Sequence, residues 1–336
     1  MRITPIMILG EYRHMADNYY NKKRILILGA GGFIGTNLTD ELIGLGAVLT
    51  LFDATFEAER ASRWKDQGAR IVTGDFSKLG VISEELVKNQ DLIFHFISTT
   101  CPTNSNLNIA AEYTDNVLPT TRLLDACTVS MPRIIFLSSG GTVYGKDHAG
   151  ICKEEDDAFP ISSYGIQKLT IEKLLYLYNY IHGIDYRIIR LANPYGPYQR
   201  TNGVQGVVTN FLHRVLKDEP LTLAGDGSVV RDYIYIADVI KGILRISQDD
   251  APNKLYNFGS GKGTSVIEVI HTIEKITGRK ASVNHTPARL VDVPVNVLDI
   301  SRYRRDFGDP DLISLEEGIK LTADFLQKEN QIGGFQ

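Results

Sequence analysis

Tyr164 and Lys168 stand four residues apart in the stretch SSYGIQK. On a helix that spacing puts a phenol and an ammonium on one face. A phenol titrates at about 10 in water, and a neighbouring cation favours its phenolate, so the pair has the makings of a general base. The spacing alone is common: Tyr19 and Lys23 repeat it, and they are assigned to an N-terminal extension without function. Tyr164 differs in what precedes it. The stretch SSGGTVYG, residues 138–145, closes an apolar run with three hydroxyls, Ser138, Ser139 and Thr142. A hydroxyl, a phenol and an ammonium gathered at a strand end can carry a proton to and from a substrate alcohol.

A second group lies near the start of the chain. GAGGFIG places Gly29, Gly32 and Gly35 between an apolar run and an amphipathic one. Glycines there allow a tight turn and let backbone N–H groups reach a pyrophosphate at the positive end of a helix. The pattern gains weight only from its place after a strand and before a helix. Asp53 ends the next apolar run, where a carboxylate accepts the ribose hydroxyls of NAD and repels a 2′-phosphate. Arg60 and Arg63 could serve NADP, but they lie in a mixed-charge run that reads as a solvated helix face. NAD is therefore the expected cofactor. Asp75, ending the third run, is placed either to reach the adenine or to close a turn. GSGKGTS, residues 259–265, imitates a phosphate loop, yet the leading glycine of that pattern falls on Tyr256 and Gly263 follows Lys262, so NTP hydrolysis is not expected.

Both groups need a scaffold that brings strand ends together. RILILG, AVLTLFD, RIVTGD, DLIFHFIS, RIIFLSS and YRIIRLAN are apolar nearly throughout, as strands covered on both faces must be. GTNLTDELIGLG and YTDNVLPTTRLLDACT, between them, have helical spacing. The alternation predicts an α/β fold with a Rossmann doubly wound parallel sheet. After Asn193 the regularity gives way to PYGPYQRTNGVQG, a loop that opens a smaller, discontinuous C-terminal α/β substrate domain. RDYIYIAD and LYNFGSG are expected to return to the large sheet. TSVIEVIHTIEKITG and SLEEGIKLTADFLQK read as amphipathic helices capped by Thr or Ser. The expected division is an extension over 1–23, an NAD-binding domain over 24–192 and 232–262, and a substrate domain over 193–231 and 263–330.

With 336 residues, 43% of them hydrophobic, the chain can bury such a core. A net charge of −4 and the lack of a basic cluster interleaved with aromatics argue against a nucleic-acid partner. Cys101, Cys127 and Cys152 are an odd set without metal-ligand spacing, so neither a disulfide framework nor a metal site is expected, and a reduced, cytoplasmic setting is. No apolar run reaches the length of a membrane span, and the first one is too short for a secretory signal.

The stretches GAGGFIG, SSGGTVYG, SSYGIQK, RLANPYGPYQ, GDGSVVRDYIYIAD, NFGSGKGTS and RLVDVPVNVLDIS stand in the order found in the extended short-chain dehydrogenase/reductase family. Over residues 24–326 the chain resembles that family, and within it the NAD-dependent nucleotide-sugar epimerase/dehydratase group. The resemblance implies a Rossmann domain holding NAD, a smaller domain holding a nucleotide diphospho-sugar, a UDP-hexose by family precedent, and a homodimer joined through a four-helix bundle. It implies that Tyr164 takes a proton from a sugar hydroxyl while C4 gives hydride to the nicotinamide, and that Lys168 holds the nicotinamide ribose. Cofactor contacts are expected from Gly29, Gly32, Phe33, Ile34 and Gly35 at the first turn, and from Asp53, Asp75 and Phe76 beyond the next two strands. Phe96, Ile97, Ser98 and Asn116 complete that set together with Tyr164 and Lys168. Substrate contacts are expected from Asn193, Val207, Val208, Arg231, Arg289 and Asn296, the two arginines suiting bidentate contacts to a diphosphate.

Departures from the family pattern shape the expected reaction. Many relatives hold the proton-relaying Ser or Thr where this chain has Gly140, so the role falls to Ser139 or Thr142, with Thr142 preferred because a Gly-Gly step can re-aim the residues after it. Dehydratases carry an Asp-Glu pair where this chain has Gly141 and Thr142, and related decarboxylases use a Glu there. The expected function is 4-epimerisation of a UDP-hexose through a transient 4-keto intermediate. A 4-ketoreductase or dehydratase of deoxysugar synthesis is the alternative; a non-catalytic dinucleotide-binding protein would have no need of a phenolate. Ala224 stands where many relatives place an aromatic against the uracil. Asn296 replaces a bulky gatekeeper, which leaves room for an N-acetyl group on the sugar.

Overall fold

The computed structural model describes residues 19–81, 83–146, 150–201, 206–287 and 293–332. The apolar runs form β1 (Arg24–Leu28), β2 (Val48–Asp53), β3 (Arg70–Thr73), β4 (Leu92–His95) and β5 (Arg133–Ser139). β6 (Ile151–Cys152) leaves for another sheet, and β7 (Tyr186–Leu191) returns. β8 (Asn193–Tyr195), β9 (Leu221–Ala224), β10 (Val230–Tyr235), β11 (Leu255–Phe258), β12 (Gly263–Ser265), β13 (Val283–Thr286) and β14 (Val295–Leu298) come after it in the chain. The main sheet runs β3-β2-β1-β4-β5-β7-β11, every pair parallel. Alternation along β1 explains its unbroken apolarity: Ile25 and Ile27 feed one core, Leu26 and Leu28 the other. The strand order reverses between β1 and β4, and the crevice outside their carboxyl ends is where such sheets bind ligands.

The helices are α1 (Phe33–Gly44), α2 (Ala58–Asp66), α3 (Glu84–Val87), α4 (Ile109–Glu112), α5 (Leu118–Ser130), α6 (Ser163–His182), α7 (Val207–Leu216), α8 (Ile236–Ile246), α9 (Val266–Thr277), α10 (Ser301–Phe307) and α11 (Leu315–Ile332). α1 and α8 share one core, α5 and α6 the other. Both helices expected to open on Ser or Thr do so: Ser265 and Glu268 form a reciprocal capping box on α9, and Ser314 accepts from the Glu317 N–H at 3.2 Å. The stretch read as one helix from Tyr113 begins instead as a π-turn over Tyr113–Val117 before α5.

Two expectations need correction. RDYIYIAD does not join the large sheet. It forms β10, central in a smaller sheet ordered β12-β10-β14-β6, with β8 beside it. The chain crosses between the two sheets at Ala192, which separates β7 from β8. Asp232 accounts for the placement: wholly buried, it accepts from Ser260 N at 2.8 Å, Ser260 Oγ at 2.6 Å, Gly261 N at 3.1 Å and Leu298 N at 3.3 Å. The GSGKGTS loop is thus wrapped around a carboxylate of its own chain. LYNFGSG does return, as β11 on β7.

The second correction concerns the end of the expected extension. Tyr20 is wholly buried, and its hydroxyl donates to the Leu244 carbonyl at 2.5 Å. The Tyr19 hydroxyl donates to Asp249 at 2.9 Å, and Asp249 also pairs with Arg133. These two tyrosines belong to the fold, because their rings cover apolar surface between β1 and α8. The rest of that segment, residues 1–18, lies outside the described residues. Tyr20→Phe leaves the Leu244 carbonyl without that donor and should cost about 1–2 kcal/mol, and Tyr20→Ala about 3–5 kcal/mol. Urea denaturation measures both, and unchanged midpoints would place Tyr20 outside the core.

Candidate active site

At the carboxyl end of β1 the backbone turns through Gly29, whose φ of +91° suits glycine and where an added Cβ would lie 3.2 Å from the Ile97 nitrogen. An added Cβ at Gly35 would sit 2.1 Å from the Gly29 oxygen, so α1 packs directly on the turn. The first helical bond runs from Thr36 N to Gly32 O at 2.9 Å. The N–H groups of Phe33, Ile34 and Gly35 stand ahead of it at the positive end of α1, whose first turn holds no acidic residue. An anionic diphosphate fits that end.

Asp53 closes β2 with Oδ2 accepting from Gly31 N at 2.9 Å and Oδ1 from Ala54 N at 2.7 Å. With the Thr55 N–H as a third backbone donor, the carboxylate still keeps accepting capacity for a ribose diol. Burial pushes this carboxyl up against the pull of those N–H groups and of Arg200. Neither nearby candidate for a 2′-phosphate is uncommitted: the Arg60 guanidinium lies 4.4 Å from the Tyr198 ring centroid, and Arg63 donates to Asp40 at 2.7 Å. The chemistry at this turn fits NAD. Asp75 is exposed and accepts from both Ser77 N and Ser77 Oγ, which lowers its pKa and closes a turn. Phe76 is buried against His95.

Past β4, Phe96 and Ile97 line the back of the Gly29 turn, and Ser98 donates to the Thr100 carbonyl. Asn116 holds that loop: Oδ1 accepts from Thr99 N at 3.0 Å and Nδ2 donates to Thr99 Oγ1 at 2.8 Å. The π-turn widens the helix where Asn116 faces the loop.

Tyr164 and Lys168 lie in the first two turns of α6, which Ser162 caps by accepting from Gly165 N at 3.1 Å. Lys168 is 3% exposed; its ammonium donates to the Leu137 carbonyl at 3.0 Å and stands 5.5 Å from the Tyr164 ring centroid. Burial brings its pKa down to about 8. Tyr164 runs against expectation: burial, with Cys101 and Glu112 adding to it, pushes the phenol up rather than down. Desolvation outweighs the neighbouring ammonium at this site.

The SSGGTVYG loop lies beside that turn, since an added Cβ at Gly165 would meet the Thr142 carbonyl oxygen at 2.9 Å. Thr142 Oγ1 is buried with no hydrogen-bond partner. Ser138 is not available: its hydroxyl donates to Glu172 at 2.5 Å. Ser139 ends β5 half-buried. A Cβ at Gly140 would lie 2.5 Å from Leu298 Cδ1 on β14, so a hydroxyl-bearing residue there would have to displace that side chain.

Of the expected substrate residues, two reach this loop, Asn193 and Asn296: the Oδ1 of Asn193 would lie 3.9 Å from a Cβ at Gly141, and its Nδ2 donates to the Asp232 carbonyl at 3.0 Å. Asn296 is 1% exposed; Nδ2 donates to the Gly140 carbonyl at 3.2 Å, while Oδ1 has no partner. Arg231, in register with Asn296, donates to the Val293 carbonyl at 2.6 Å. Val207 and Val208 open α7, and Ala224 ends β9. Arg289 lies outside the described residues. Sequence reading missed the group that seats α6. Glu172 Oε2 accepts from Arg190 Nη2 at 2.8 Å and Oε1 from Arg190 Nε at 3.1 Å, and the Arg190 guanidinium covers the Tyr144 ring. The i, i+4 step from Lys168 to Glu172 was the available signal. Among the described residues no cluster of three or more His, Cys, Asp or Glu could hold a metal, and no helix is long and apolar enough to cross a membrane.

The profile of the NAD dependent epimerase/dehydratase family matches residues 25–259. The UDP-glucose 4-epimerase of Mycolicibacterium smegmatis is 31% identical over 317 residues, covering 92% of this chain and all of that protein (100%). The solved UDP-glucose 4-epimerase of Thermotoga maritima with UDP-glucose is 30% identical, with a TM-score of 0.85, over 91% of this chain and 99% of its own. That of Thermus thermophilus in complex with NAD is 28% identical, with a TM-score of 0.83, over 90% of this chain and 99% of its own.

The contact between Gly140 and Leu298 is open to test. Gly140→Ser should destabilise the protein by about 1–3 kcal/mol through overpacking, and the same substitution made in a Leu298→Ala background, itself less stable than wild type, should cost much less. A Gly140→Ser protein with an unchanged melting temperature would show that the loop has room to move.

Proposed function

The chain belongs to the NAD dependent epimerase/dehydratase family, and from that membership we propose that it inverts C4 of a UDP-hexose. The observation that carries this reading is Tyr164 with Lys168 behind it, at the carboxyl ends of the sheet strands and in a turn that packs on the backbone of Thr142, whose hydroxyl has no partner. NAD, when bound, supplies the acceptor for the C4 hydride and returns it to the other face. Tyr164 removes the proton of the sugar O4–H as the C–H bond breaks, and gives it back when the alcohol reforms. Thr142 is the proposed carrier of that proton between O4 and the phenol, with Ser139 the other hydroxyl in the loop. Because burial holds the phenol high, it needs a positive neighbour to ionise, and the Lys168 ammonium is of that sign.

The competing ketoreductase reading calls for exchangeable NADPH, and Arg60 and Arg63, the residues that would have to hold its 2′-phosphate, are engaged by Tyr198 and Asp40. Dehydration across C5 and C6 calls for an acid pair that Gly141 and Thr142 do not supply. Asn296 supports a further detail. Its unpartnered Oδ1 beside Gly140 can accept an N–H or O–H at C2 of the sugar, so the N-acetylated hexose is proposed as a substrate beside the plain one. Arg231 and Arg289 remain the proposed holders of the diphosphate.

A second copy of the chain is the proposed partner. α5 and α6 leave an apolar outer face that includes Val129, Leu118, Ile166, Leu177, Tyr180 and Ile181, with Tyr180 80% exposed. Pairing those two helices with their counterparts makes a four-helix bundle.

Incubating the purified protein, without added cofactor, with UDP-glucose, UDP-N-acetylglucosamine and UDP-glucuronate in turn tests the reaction. Proton NMR should show the C4 epimer of the first two, and no epimer from any, even with NAD supplied, would reject it. Tyr164→Phe should keep NAD and lose about 10²–10⁴ in kcat; near wild-type turnover would remove the phenol from the mechanism. Thr142→Val should slow turnover more than Ser139→Ala, and equal small losses would mean that neither hydroxyl relays the proton.

A further inference from the structure

A carboxylate that no motif of the sequence singles out lies behind the catalytic pair. Glu112 ends α4, is wholly buried, and neither of its oxygens has a hydrogen-bond partner. α4 and the π-turn after it pack on α6, and the Ser163 N–H donates to Asn106 Oδ1 at 2.8 Å, which ties the first turn of α6 to the segment leading into α4. Ser163 and Gln167 lie on one face of α6 and carry buried polar atoms without partners, as does Ser105 just before α4. Polar groups in that number mark a polar interface, not a hydrophobic one.

The charge account at Lys168 points the same way. Its ammonium is buried against the Leu137 carbonyl and the Phe136 ring, neither of which carries a charge. A buried ammonium needs a counter-charge. The charges that act on it through space are those of Glu112 and Glu172, and neither forms a direct ion pair with it. Glu172 is engaged on both oxygens, by Arg190 Nε and Ser138 Oγ on Oε1 and by Arg190 Nη2 on Oε2. Glu112 alone of the two has both oxygens unengaged.

We propose that Glu112 is the through-space counter-charge of Lys168, a positioning residue that keeps the ammonium protonated behind Tyr164. This rests on reading Tyr164 and Lys168 as the catalytic pair. The other titratable groups facing them are Cys101, 6% exposed, on the Tyr164 side, and His95 on the Lys168 side. Burial brings His95 down to about 3, so it is neutral at working pH and adds no charge. A negative charge at Glu112 raises both Tyr164 and Lys168. Its removal therefore lowers both: the phenol ionises more easily, and the ammonium, already near 8 through burial, is lost at lower pH. Both limbs of the pH–rate profile should move to lower pH, by about one unit.

The test uses the holoenzyme with the UDP-hexose it converts. Glu112→Gln should shift both limbs of kcat against pH downward while NAD content stays at the wild-type level, and Glu112→Asp should keep the wild-type position. A merely structural role would lower the rate without moving the limbs, and an unshifted profile overturns the proposal. A thermal-melt cycle needs no activity. Lys168→Met should destabilise by stranding Glu112, and adding Glu112→Gln should raise the melting temperature above that of Lys168→Met alone. A double variant no more stable than Lys168→Met, or no better recovered in folded form, overturns it as well. Wild-type turnover by Tyr164→Phe would instead strike the catalytic reading, and the melt cycle would still decide whether Glu112 and Lys168 are coupled.

Discussion

The buried pair of Glu172 and Arg190 is the interaction on which the catalytic end of this molecule depends. Both side chains are 4% exposed and meet through two parallel contacts. One belongs to α6 and the other to β7, so the pair fixes the rotation of the helix over the sheet. Ser138 on β5 bonds to the same carboxylate, and the Tyr144 ring lies under the guanidinium. The strand end, the loop after it and the helix bearing Tyr164 and Lys168 are therefore held by one group. Removing either partner would strand a charge in the interior at a cost of about 3–5 kcal/mol.

The smaller sheet acts on the same loop from the other side. β14 places Leu298 against Gly140 and Asn296 on its carbonyl, so residues far along the chain decide where a hydroxyl can stand. A serine at 140 and a leucine at 298 compete for one volume. Asp232 steadies that sheet by gathering the 259–262 loop around its carboxylate. What looked like a phosphate loop is a nest already filled from within the chain.

Electrostatics in the cleft follows from burial more than from pairwise attraction. Lys168 and Tyr164 sit side by side, yet desolvation moves each toward its neutral form. Partners of opposite charge would have to restore the charged forms. Asp53, by contrast, has backbone donors on both oxygens.

Local pattern alone determined much of this protein. Six strands, the glycine turn, Asp53 and the Tyr164–Lys168 spacing were all legible, because doubly covered strands must be apolar throughout and a helix sets side chains at fixed intervals. The serine caps of α9 and α11 were legible for the same reason. RDYIYIAD was not, since a buried strand reads alike in either sheet, and only Asp232 and its four donors show which one it joins. Tyr19 and Tyr20 were unreadable because their partners lie more than two hundred residues away. The direction of the Tyr164 shift, the steric exclusion at Gly140 and the position of Glu112 behind Lys168 were decided by tertiary structure. Each depends on burial and on groups brought together from distant segments, quantities that no window of sequence contains.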